Sequence, residues 1–168
     1  MIPIISIVGR SKVGKTSFLE GLIPVLKSRG YRLAVIKHAK HGFEMDSEGT
    51  DSWRLTNVGA DICCVTSPQK MVMIKPFKSD SSLHDVLNTI GQDIDIVITE
   101  GYKEENAPKI EVHRRDMGEL ICSSDELIAI ITDEPLLTTT PQLTLTDFSM
   151  AADIIEREFL DRSSNNGT

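Results

Sequence analysis

Short apolar runs alternate with longer amphipathic stretches along most of this chain. The first run, at 4–8, stops at Gly9, and a helical pattern then begins at Lys15 and continues to about Ser28. Apolar runs bounded by turn residues are typical of strands buried on both faces of a parallel sheet. The alternation therefore predicts an α/β fold, with a mostly parallel, twisted sheet and helices on both faces.

The same pattern places the remaining elements and the limits of the domain. Further strands are predicted at 32–37 and in the stretches DIDIVITEG, PKIEVHR and LIAIITD, and helices at about 51–58, in SSLHDVLNTIG and at about 148–160. The runs DICCVTS and KMVMIKP flank a PQK turn, which predicts a β-hairpin added to the fold. No linker or repeat divides the chain, so we expect one domain over 1–160 and a flexible tail over 161–168.

The charge and the cysteines narrow the class of protein. Eighteen Lys and Arg side chains against 25 Asp and Glu give a net charge of -7, which disfavours nucleic acid or an anionic membrane as a partner. The three cysteines form no CxxC pair, no segment is apolar enough to span a membrane, and no secretion signal is recognisable. We therefore expect reduced thiols and a cytoplasmic protein.

The junction between the first strand and the first helix carries a phosphate-binding pattern. Gly9, Gly14, Lys15 and Thr16 fit G-x-x-x-x-G-K-[ST] in the strand, loop and helix context that a P-loop requires, so the fold is expected to be P-loop NTPase-like. Glycines let successive N–H groups turn inward around a phosphate, and the N-terminus of the following helix adds further donors. The candidate nucleotide-binding residues here are Gly9, Arg10, Ser11, Lys12, Val13, Gly14, Lys15, Thr16 and Ser17.

The side chains around this loop have separate expected roles. Lys15, expected to be exposed, would reach the β- and γ-phosphates, and the hydroxyl of Thr16 would bind Mg²⁺. Glu100 ends an apolar run that is expected to be a central strand, so its carboxylate is the expected second metal ligand. Asp46 completes the candidate metal ligands, and the candidate catalytic residues are Lys15, Asp46 and Glu100.

A basic stretch leaves the second strand at the same expected edge of the sheet as the P-loop. Lys37, His38, Lys40, His41 and Arg54 form a concentrated positive patch in an acidic protein. Such a patch suits a second anionic ligand or the transferred phosphate. Two other interpretations stay open, a metal site at the two histidines and an ordinary solvated loop.

Three aspartates bear on metal binding, base recognition and hydrolysis. Asp46 is the expected residue to hold Mg²⁺ or orient a water, in preference to Asp51, which sits where a helix N-cap belongs. The guanine-reading pattern N-K-x-D is absent, and Asp133, which follows a predicted strand, could accept hydrogen bonds from a guanine edge instead. No glutamine is placed to orient an attacking water, so slow intrinsic hydrolysis is expected.

Three stretches of the chain together resemble one known family, molybdopterin-guanine dinucleotide biosynthesis protein B (MobB). They are the P-loop, IKHAKHGFEMDSEGTDSWRLTNVGA and ITEGYKEENAPKIEVHR, which span the chain from about Pro3 to Arg114. The matching positions of the last two are Lys37, His38, His41, Asp46, Gly49, Asp51, Ser52, Arg54, Gly59 and Ala60, then Glu100, Gly101, Tyr102, Lys103, Pro108, Lys109 and Ile110. Lys40 stands where the family often has His, which favours an anion site over a metal site, and Tyr102 stands where it has Phe.

The resemblance implies a GTP-binding protein with weak, Mg²⁺-dependent GTPase activity. It also implies a homodimeric adaptor that acts beside the MobA-type guanylyltransferase joining GMP to molybdopterin, with GTP, Mg²⁺, molybdopterin or that enzyme as ligands and partners. The hairpin near Pro68 is the candidate dimer edge, because an unpaired strand edge can extend a sheet. Two alternatives stay open: a small-molecule kinase using ATP or GTP, in which Arg114 or Arg115 closes over the phosphates, and a binding module whose turnover is incidental.

Overall fold

Strands and helices alternate along the computed structural model, which describes residues 2–39, 42–77, 82–91 and 93–165. The strands are β1 (Ile4–Val8), β2 (Leu33–Lys37), β3 (Cys63–Thr66), β4 (Met71–Ile74), β5 (Ile96–Glu100), β6 (Lys109–Val112), β7 (Leu127–Ile131) and β8 (Gln142–Leu143). The helices are α1 (Lys15–Ser28), α2 (Asp51–Asn57), α3 (Leu83–Ile90) and α4 (Phe148–Asn165), with a short 3-10 helix at Arg115–Met117.

The chain divides into two compact units, one formed by 1–38 and 89–168 and the other by 39–88. In the first unit six strands form one sheet in the order β2-β5-β1-β6-β7-β8, and every neighbouring pair is parallel. In the second unit β3 and β4 form an antiparallel hairpin. The α/β class, the mostly parallel sheet and the added hairpin are thus confirmed, while the single domain over 1–160 stays a prediction.

The order of the strands determines where a ligand is expected to bind. All six strands of the large sheet end at the same edge, and β1 lies between β5 and β6. The chain leaves β1 towards β2 and leaves β6 towards β7, so the connections diverge between β1 and β6. In open α/β sheets the crevice at such a switch point, outside the carboxyl ends of the strands, is the usual ligand site.

One face of the large sheet packs against α1 and α4. In α1 the buried side chains Phe18, Leu22 and Leu26 recur every fourth residue, which places them in one stripe facing the sheet. The strands contribute Ile5, Ile7, Ile96, Ile98, Ile110 and Val112 to this core, and α4 contributes Ala151, Ala152 and Ile155. This packing holds the start of α1, and with it the P-loop, against the end of β1.

The alternate positions of the central strands carry buried polar groups. The hydroxyl of Thr99 donates to that of Ser6 over 2.9 Å, and both residues are fully buried. Lys109 is only 3% exposed and pairs with Glu126, and Glu111 is only 1% exposed. The carboxylate of Glu111 accepts hydrogen bonds from backbone N–H groups at 121 and 122. These bonds attach the connection after β6 to the sheet.

Three details differ from the predicted elements. The Pro- and Thr-rich stretch after β7 contains the short strand β8, which the sequence pattern did not reveal because two residues show no periodicity. The last helix continues to Asn165, so the start of the predicted tail at 161–168 is helical. The N-cap of α2 is Thr50 and not Asp51, and the side chain of Thr50 accepts a hydrogen bond from the backbone N–H of Trp53.

Among the described helices none is long and apolar enough to cross a membrane.

The ion pair between buried Lys109 and Glu126, whose side chain is 39% exposed, makes stability depend on pH. The hydrogen bond from Lys109, followed by those from Ser123, holds the pKa of Glu126 at about 2, below its usual value of 4.5. A carboxyl whose pKa is depressed on folding stabilises the fold above its unfolded pKa, and this contribution is lost as pH falls through the folded pKa. We expect Glu126→Gln to lower the free energy of unfolding at neutral pH, with the difference from wild type shrinking between about pH 4.5 and about pH 2.

Urea denaturation at a series of pH values measures this difference. Glu104→Gln, at an exposed position in the connection between β5 and β6, removes the same charge away from Lys109 and serves as the matched control. A Glu126→Gln deficit that is the same at every pH would contradict the assignment of the effect to this ion pair.

Candidate functional site

The turn from β1 into the P-loop is closed by a glycine that no other residue can replace without strain. Gly9 has φ +136°, and a Cβ placed on it would lie 2.3 Å from the carbonyl oxygen of Val112 in β6. Both the positive φ and the close approach to a neighbouring strand favour glycine. The start of the loop is therefore held in contact with the end of β6.

The other end of the loop opens directly into the N-terminus of α1. Gly14 is the N-cap, with φ +102°, and no side chain caps the helix. The first turn of α1 also carries no acidic residue. The N–H groups at this end, which a helix cannot bond internally, are thus available to an anion in the positive field of the helix dipole.

Lys15 folds back over its own loop. Its Nζ donates to the carbonyl oxygens of Gly9, at 3.0 Å, and Arg10, at 2.8 Å. The side chain is half-buried, which corrects the expectation that it is exposed, and this burial lowers the pKa of Lys15, an effect that the charge of Glu100 opposes. An ammonium group has three N–H donors, so one remains after the two loop carbonyls are bonded.

The predicted partners of the loop do come together at the ends of β1, β5 and β2. The Thr16 hydroxyl lies 3.5 Å from Oε2 of Glu100, and the same oxygen lies 3.5 Å from Nζ of Lys37. The Glu100 side chain is only 13% exposed. Within the described part of the chain, no group of three or more His, Cys, Asp or Glu side chains is placed to hold a metal ion. Any cation here would thus combine Thr16 and Glu100 with oxygens from a ligand or water.

An aromatic pair stands beside this carboxylate. The imidazole of His38 stacks on the ring of Tyr102, with the ring centroids 4.7 Å apart and the planes at 25°. The backbone N–H of His38 donates to the carbonyl of Glu100, and a Cβ on Gly101 would lie 3.2 Å from the His38 carbonyl. Sequence reasoning did not pair these rings, although His38 follows β2 directly and Tyr102 lies two residues after the end of the neighbouring strand β5. The stack leaves His38 exposed at the ligand edge of the sheet.

The remaining residues of the basic stretch belong to the second unit or are not described. Oδ1 of Asp46 accepts from the hydroxyls of Thr50 and Ser52, and Oδ2 is buried without a hydrogen-bond partner among the described residues. Nη1 of Arg54 lies 3.9 Å from Oδ1 of Asp51. His41 and Lys40 lie outside the described residues. The contributions of Asp46, Arg54 and His41 to the site stay predictions.

A cavity of about 400 Å³ lies at the ends of β7 and β8. A Cβ on Gly14 would lie 3.6 Å from a methyl of Leu145, so the segment after β8 contacts the P-loop. The residues that line the cavity are Thr132, Asp133, Glu134, Pro135, Gln142, Leu143, Thr144 and Asp147. The cavity therefore lies beside the segment that contacts the loop at 9–14, and its walls carry polar groups.

Asp133 and Arg114 join the cavity to the P-loop. Oδ1 of Asp133 accepts the backbone N–H of Arg115 over 3.1 Å, and Oδ2 lies 3.5 Å from Nη1 of Arg114. The first of these contacts is the main reason that the pKa of Asp133 lies below its usual value. Nε of Arg114 in turn donates to the carbonyl oxygen of Val13 over 3.1 Å. The kinase alternative named Arg114 or Arg115 as a closing arginine, but the contact of Arg114 with the loop backbone had no signal in the sequence pattern.

Comparison with known proteins identifies the family of this chain. The family described as "Molybdopterin guanine dinucleotide synthesis protein B" matches residues 4–133. The chain is 34% identical over 157 residues to the molybdopterin-guanine dinucleotide biosynthesis adapter protein of Haemophilus influenzae, covering 92% of this chain and 88% of that protein. It is 31% identical over 161 residues to the adapter protein of the same description from Escherichia coli, covering 92% of each.

The fold has close counterparts among solved structures. A crystal structure of molybdopterin-guanine biosynthesis protein B superimposes with a TM-score of 0.72 at 26% identity, covering 92% of this chain and 98% of that one. Bacillus subtilis MobB superimposes with a TM-score of 0.70, covering 93% and 97%. With a family match that spans most of its length and relatives above 30% identity, the chain belongs to the molybdopterin guanine dinucleotide synthesis protein B family.

Proposed function

We propose that the chain is a GTP-binding adapter in molybdenum-cofactor biosynthesis, with weak Mg²⁺-dependent GTPase activity. The observation that carries this is the glycine-closed loop between β1 and α1, which presents uncapped helix N–H groups and Lys15 at the edge where Glu100 lies. Relatives described as adapter proteins of molybdopterin-guanine dinucleotide biosynthesis supply the pathway. The adapter is inferred to support the step that attaches GMP to molybdopterin.

The triphosphate would lie in the loop from Gly9 to Ser17. Backbone N–H groups of the loop and of the first turn of α1 surround the phosphates, and the remaining donor of Lys15 faces the β- and γ-phosphates. Two of the lysine's protons are already fixed on loop carbonyls, so little side-chain entropy remains to be lost when the phosphate binds. The loop is thus suited to a polyphosphate before the ligand arrives.

Mg²⁺ fits between Thr16 and Glu100. Mg²⁺ favours hard oxygen donors and usually keeps several waters and substrate phosphates in its shell, which a hydroxyl and one carboxylate leave room for. The ion would neutralise charge on the terminal phosphates. Glu100 is held in place by Lys37 and Thr16, and Asp46 is the further ligand proposed from the sequence.

The base is proposed to occupy the cavity beside Leu145. Cavity walls with Asp133, Thr132 and Gln142 offer acceptors and donors at the end of β7 and β8, next to Gly14 of the loop. A carboxylate can accept hydrogen bonds from two donors on one edge of guanine, and adenine does not present two donors in that pattern. Asp133 is therefore the proposed guanine-recognising residue.

Hydrolysis is proposed to be slow. Glu100 or Asp46 would orient the attacking water, and Lys15, with Lys12, would compensate charge on the transferred phosphate. Fast P-loop GTPases position water with a glutamine and supply an arginine to the phosphates. Here Arg114 is bonded to the carbonyl of Val13, so its guanidinium is engaged on the loop backbone and is not on a closing lid. This contact argues against Arg114, though not against Arg115, as the closing arginine of the kinase alternative.

A second ligand is proposed at the end of β2. His38 exposes one face of its stack with Tyr102, and Lys37 places a positive charge beside it. A planar heterocycle that carries a phosphate, such as molybdopterin, would meet both features. His41 and Arg54 are proposed from the sequence to belong to the same ligand site.

Partner contacts are proposed for the hairpin. Its side chains Val65 and Met71 are 49% and 61% exposed, and each strand has one edge without a partner among the described strands. Exposed apolar side chains on an unpaired strand edge suit a second copy of the chain. We therefore propose a homodimer through this hairpin that works in the cytoplasm beside a guanylyltransferase.

Nucleotide preference is the first test. Isothermal calorimetry with Mg²⁺ is expected to show at least about tenfold tighter binding of GTP than of ATP, because only guanine presents two donors to Asp133. His38→Ala should leave this preference unchanged, since the proposed second ligand site is separate from the phosphate loop. Equal or tighter ATP binding would overturn the GTP assignment.

Removal of the loop lysine tests the phosphate site. Lys15→Ala is expected to reduce GTP affinity by a factor of about 100 or more, because a charge-assisted contact to two phosphates is lost. The far-UV circular dichroism should match wild type, and the free energy of unfolding should fall by no more than about 1 kcal/mol for the lost loop hydrogen bonds. Lys27→Ala, at the opposite end of α1, removes the same charge and should bind GTP as wild type does.

A substitution of Glu100 tests the proposed Mg²⁺ site. Glu100→Gln keeps the shape and an acceptor for Thr16 but removes the charge that would face Mg²⁺. In wild type, Mg²⁺ is expected to increase the affinity for GTP, and in Glu100→Gln this increase should be smaller by about tenfold or more. The GTP affinity measured in the presence of a chelator should differ little between the two proteins. Glu104→Gln is the control at an exposed position. An undiminished effect of Mg²⁺ in Glu100→Gln would exclude Glu100 as a ligand.

A further inference from the structure

The connection after β6 contacts the P-loop at two points. We call residues 114–122 the brace. At its start, Nε of Arg114 donates to the carbonyl oxygen of Val13 over 3.1 Å, across 101 positions of sequence. Further along, the carbonyl oxygen of Glu119 accepts from Nη2 of Arg10 over 3.4 Å. The brace thus meets both the beginning and the end of the phosphate loop.

The brace is itself fixed to the sheet. Glu111, 1% exposed, accepts the backbone N–H groups of Ile121, at 2.8 Å, and Cys122, at 3.0 Å. Asp133 accepts the N–H of Arg115 and pairs with Arg114, whose side chain is only 28% exposed. Two carboxylates, one from β6 and one from the end of β7, therefore hold the segment that touches the loop. The guanidinium of Arg114 is not free to move to another partner without breaking these contacts.

The contact at Val13 has a geometric consequence for the next residue. In a trans peptide unit the C=O and N–H bonds lie in one plane and point in opposite directions. A hydrogen bond that fixes the Val13 carbonyl therefore also fixes the N–H of Gly14, which points the other way. Glycine at 14, with φ +102°, has wide backbone freedom and would otherwise allow this peptide unit to rotate. Nη2 of Arg114 also lies 3.5 Å from the place of a Cβ on Gly14.

We infer that Arg114 is a positioning residue of the phosphate site: through the Val13 carbonyl it aims the N–H of Gly14 into the loop, and Asp133 holds Arg114 in place. This inference rests on the proposed function, because it assumes that the loop binds a polyphosphate. It gives Asp133 a role that does not involve the base. The same carboxylate that faces the base cavity thereby influences how tightly the phosphates are held.

The test uses a ligand without a base. Inorganic tripolyphosphate with Mg²⁺ occupies only the phosphate loop, so a residue that acts solely on the base cannot change its affinity. Arg114→Lys keeps the positive charge but loses the Nε donor, and Asp133→Asn keeps an acceptor for the N–H of Arg115 but loses the charge facing Arg114. Arg115→Lys is the matched control, because its side chain is 79% exposed and pairs with Glu134.

Each substitution is expected to weaken the binding of tripolyphosphate by about fivefold, and that of GTP by at least as much. The reason is that each removes about one hydrogen bond that orients the loop. For tripolyphosphate, the double variant should lose no more affinity than the Arg114 variant alone, because both substitutions act through one contact. Arg115→Lys should bind both ligands as wild type does. Urea unfolding of each variant separates these effects from loss of fold, and Asp133→Asn alone tests the proposal if Arg114→Lys does not fold.

Three results would overturn the inference. The first is wild-type affinity for tripolyphosphate in Arg114→Lys. The second is an Asp133→Asn variant that loses GTP affinity but retains tripolyphosphate affinity, because Asp133 would then act on the base only. The third is an amide resonance of Gly14 in the ¹H–¹⁵N spectrum that does not shift in Arg114→Lys relative to Arg115→Lys.

The amide resonance also separates this inference from the proposed function. If the wild-type chain binds neither GTP nor tripolyphosphate, the proposed function fails. The Gly14 resonance then tests the positioning role without any ligand, because the chemical shift of an amide depends on the hydrogen bond that the carbonyl of the same peptide unit accepts. A shift in Arg114→Lys supports the role, and an unchanged resonance overturns it.

Discussion

The close passage of Gly9 against the Val112 carbonyl is the constraint on which the site depends. A side chain at position 9 would lie 2.3 Å from that oxygen, so β1 can run beside β6 and turn at once into the loop only with glycine there. This contact fixes the loop relative to β6. It also fixes the loop relative to the segment after β6, in which Arg114 lies. The phosphate loop is therefore positioned by the neighbouring strand as much as by its own sequence.

Buried polar groups on the central strands extend this arrangement. Such groups are costly unless they are bonded, and Lys109 and Glu111 find partners in the connection after their own strand. The bonds that satisfy them hold residues 121–126 close to β6, and the brace is held with them. The hydrogen bonding that stabilises the sheet therefore also supports the loop at 9–14.

The sequence predicted the parts of the site that depend on local pattern. The apolar runs predicted the limits of β1 and α1, the parallel sheet and the hairpin. The approach of Thr16 to Glu100 was predictable because parallel strands end at a common edge of the sheet. The stack of His38 on Tyr102 and the bond from Arg114 to Val13 were not predicted, because each depends on which strands are neighbours. The strand β8 was too short for any periodicity, and α4 continues past Leu160, the last apolar residue of its pattern, where the sequence carries no apolar signal. Asp46 and Arg54 stay predictions.

We propose that the loop between β1 and α1 holds the triphosphate of a guanine nucleotide. A crystal structure with Mg²⁺ and a non-hydrolysable GTP analogue would show whether it does. We expect Nζ of Lys15 within about 3 Å of β- and γ-phosphate oxygens, Mg²⁺ next to Thr16, and the base in the cavity beside Asp133. A nucleotide bound away from the loop, with no phosphate contact to Lys15, would contradict it.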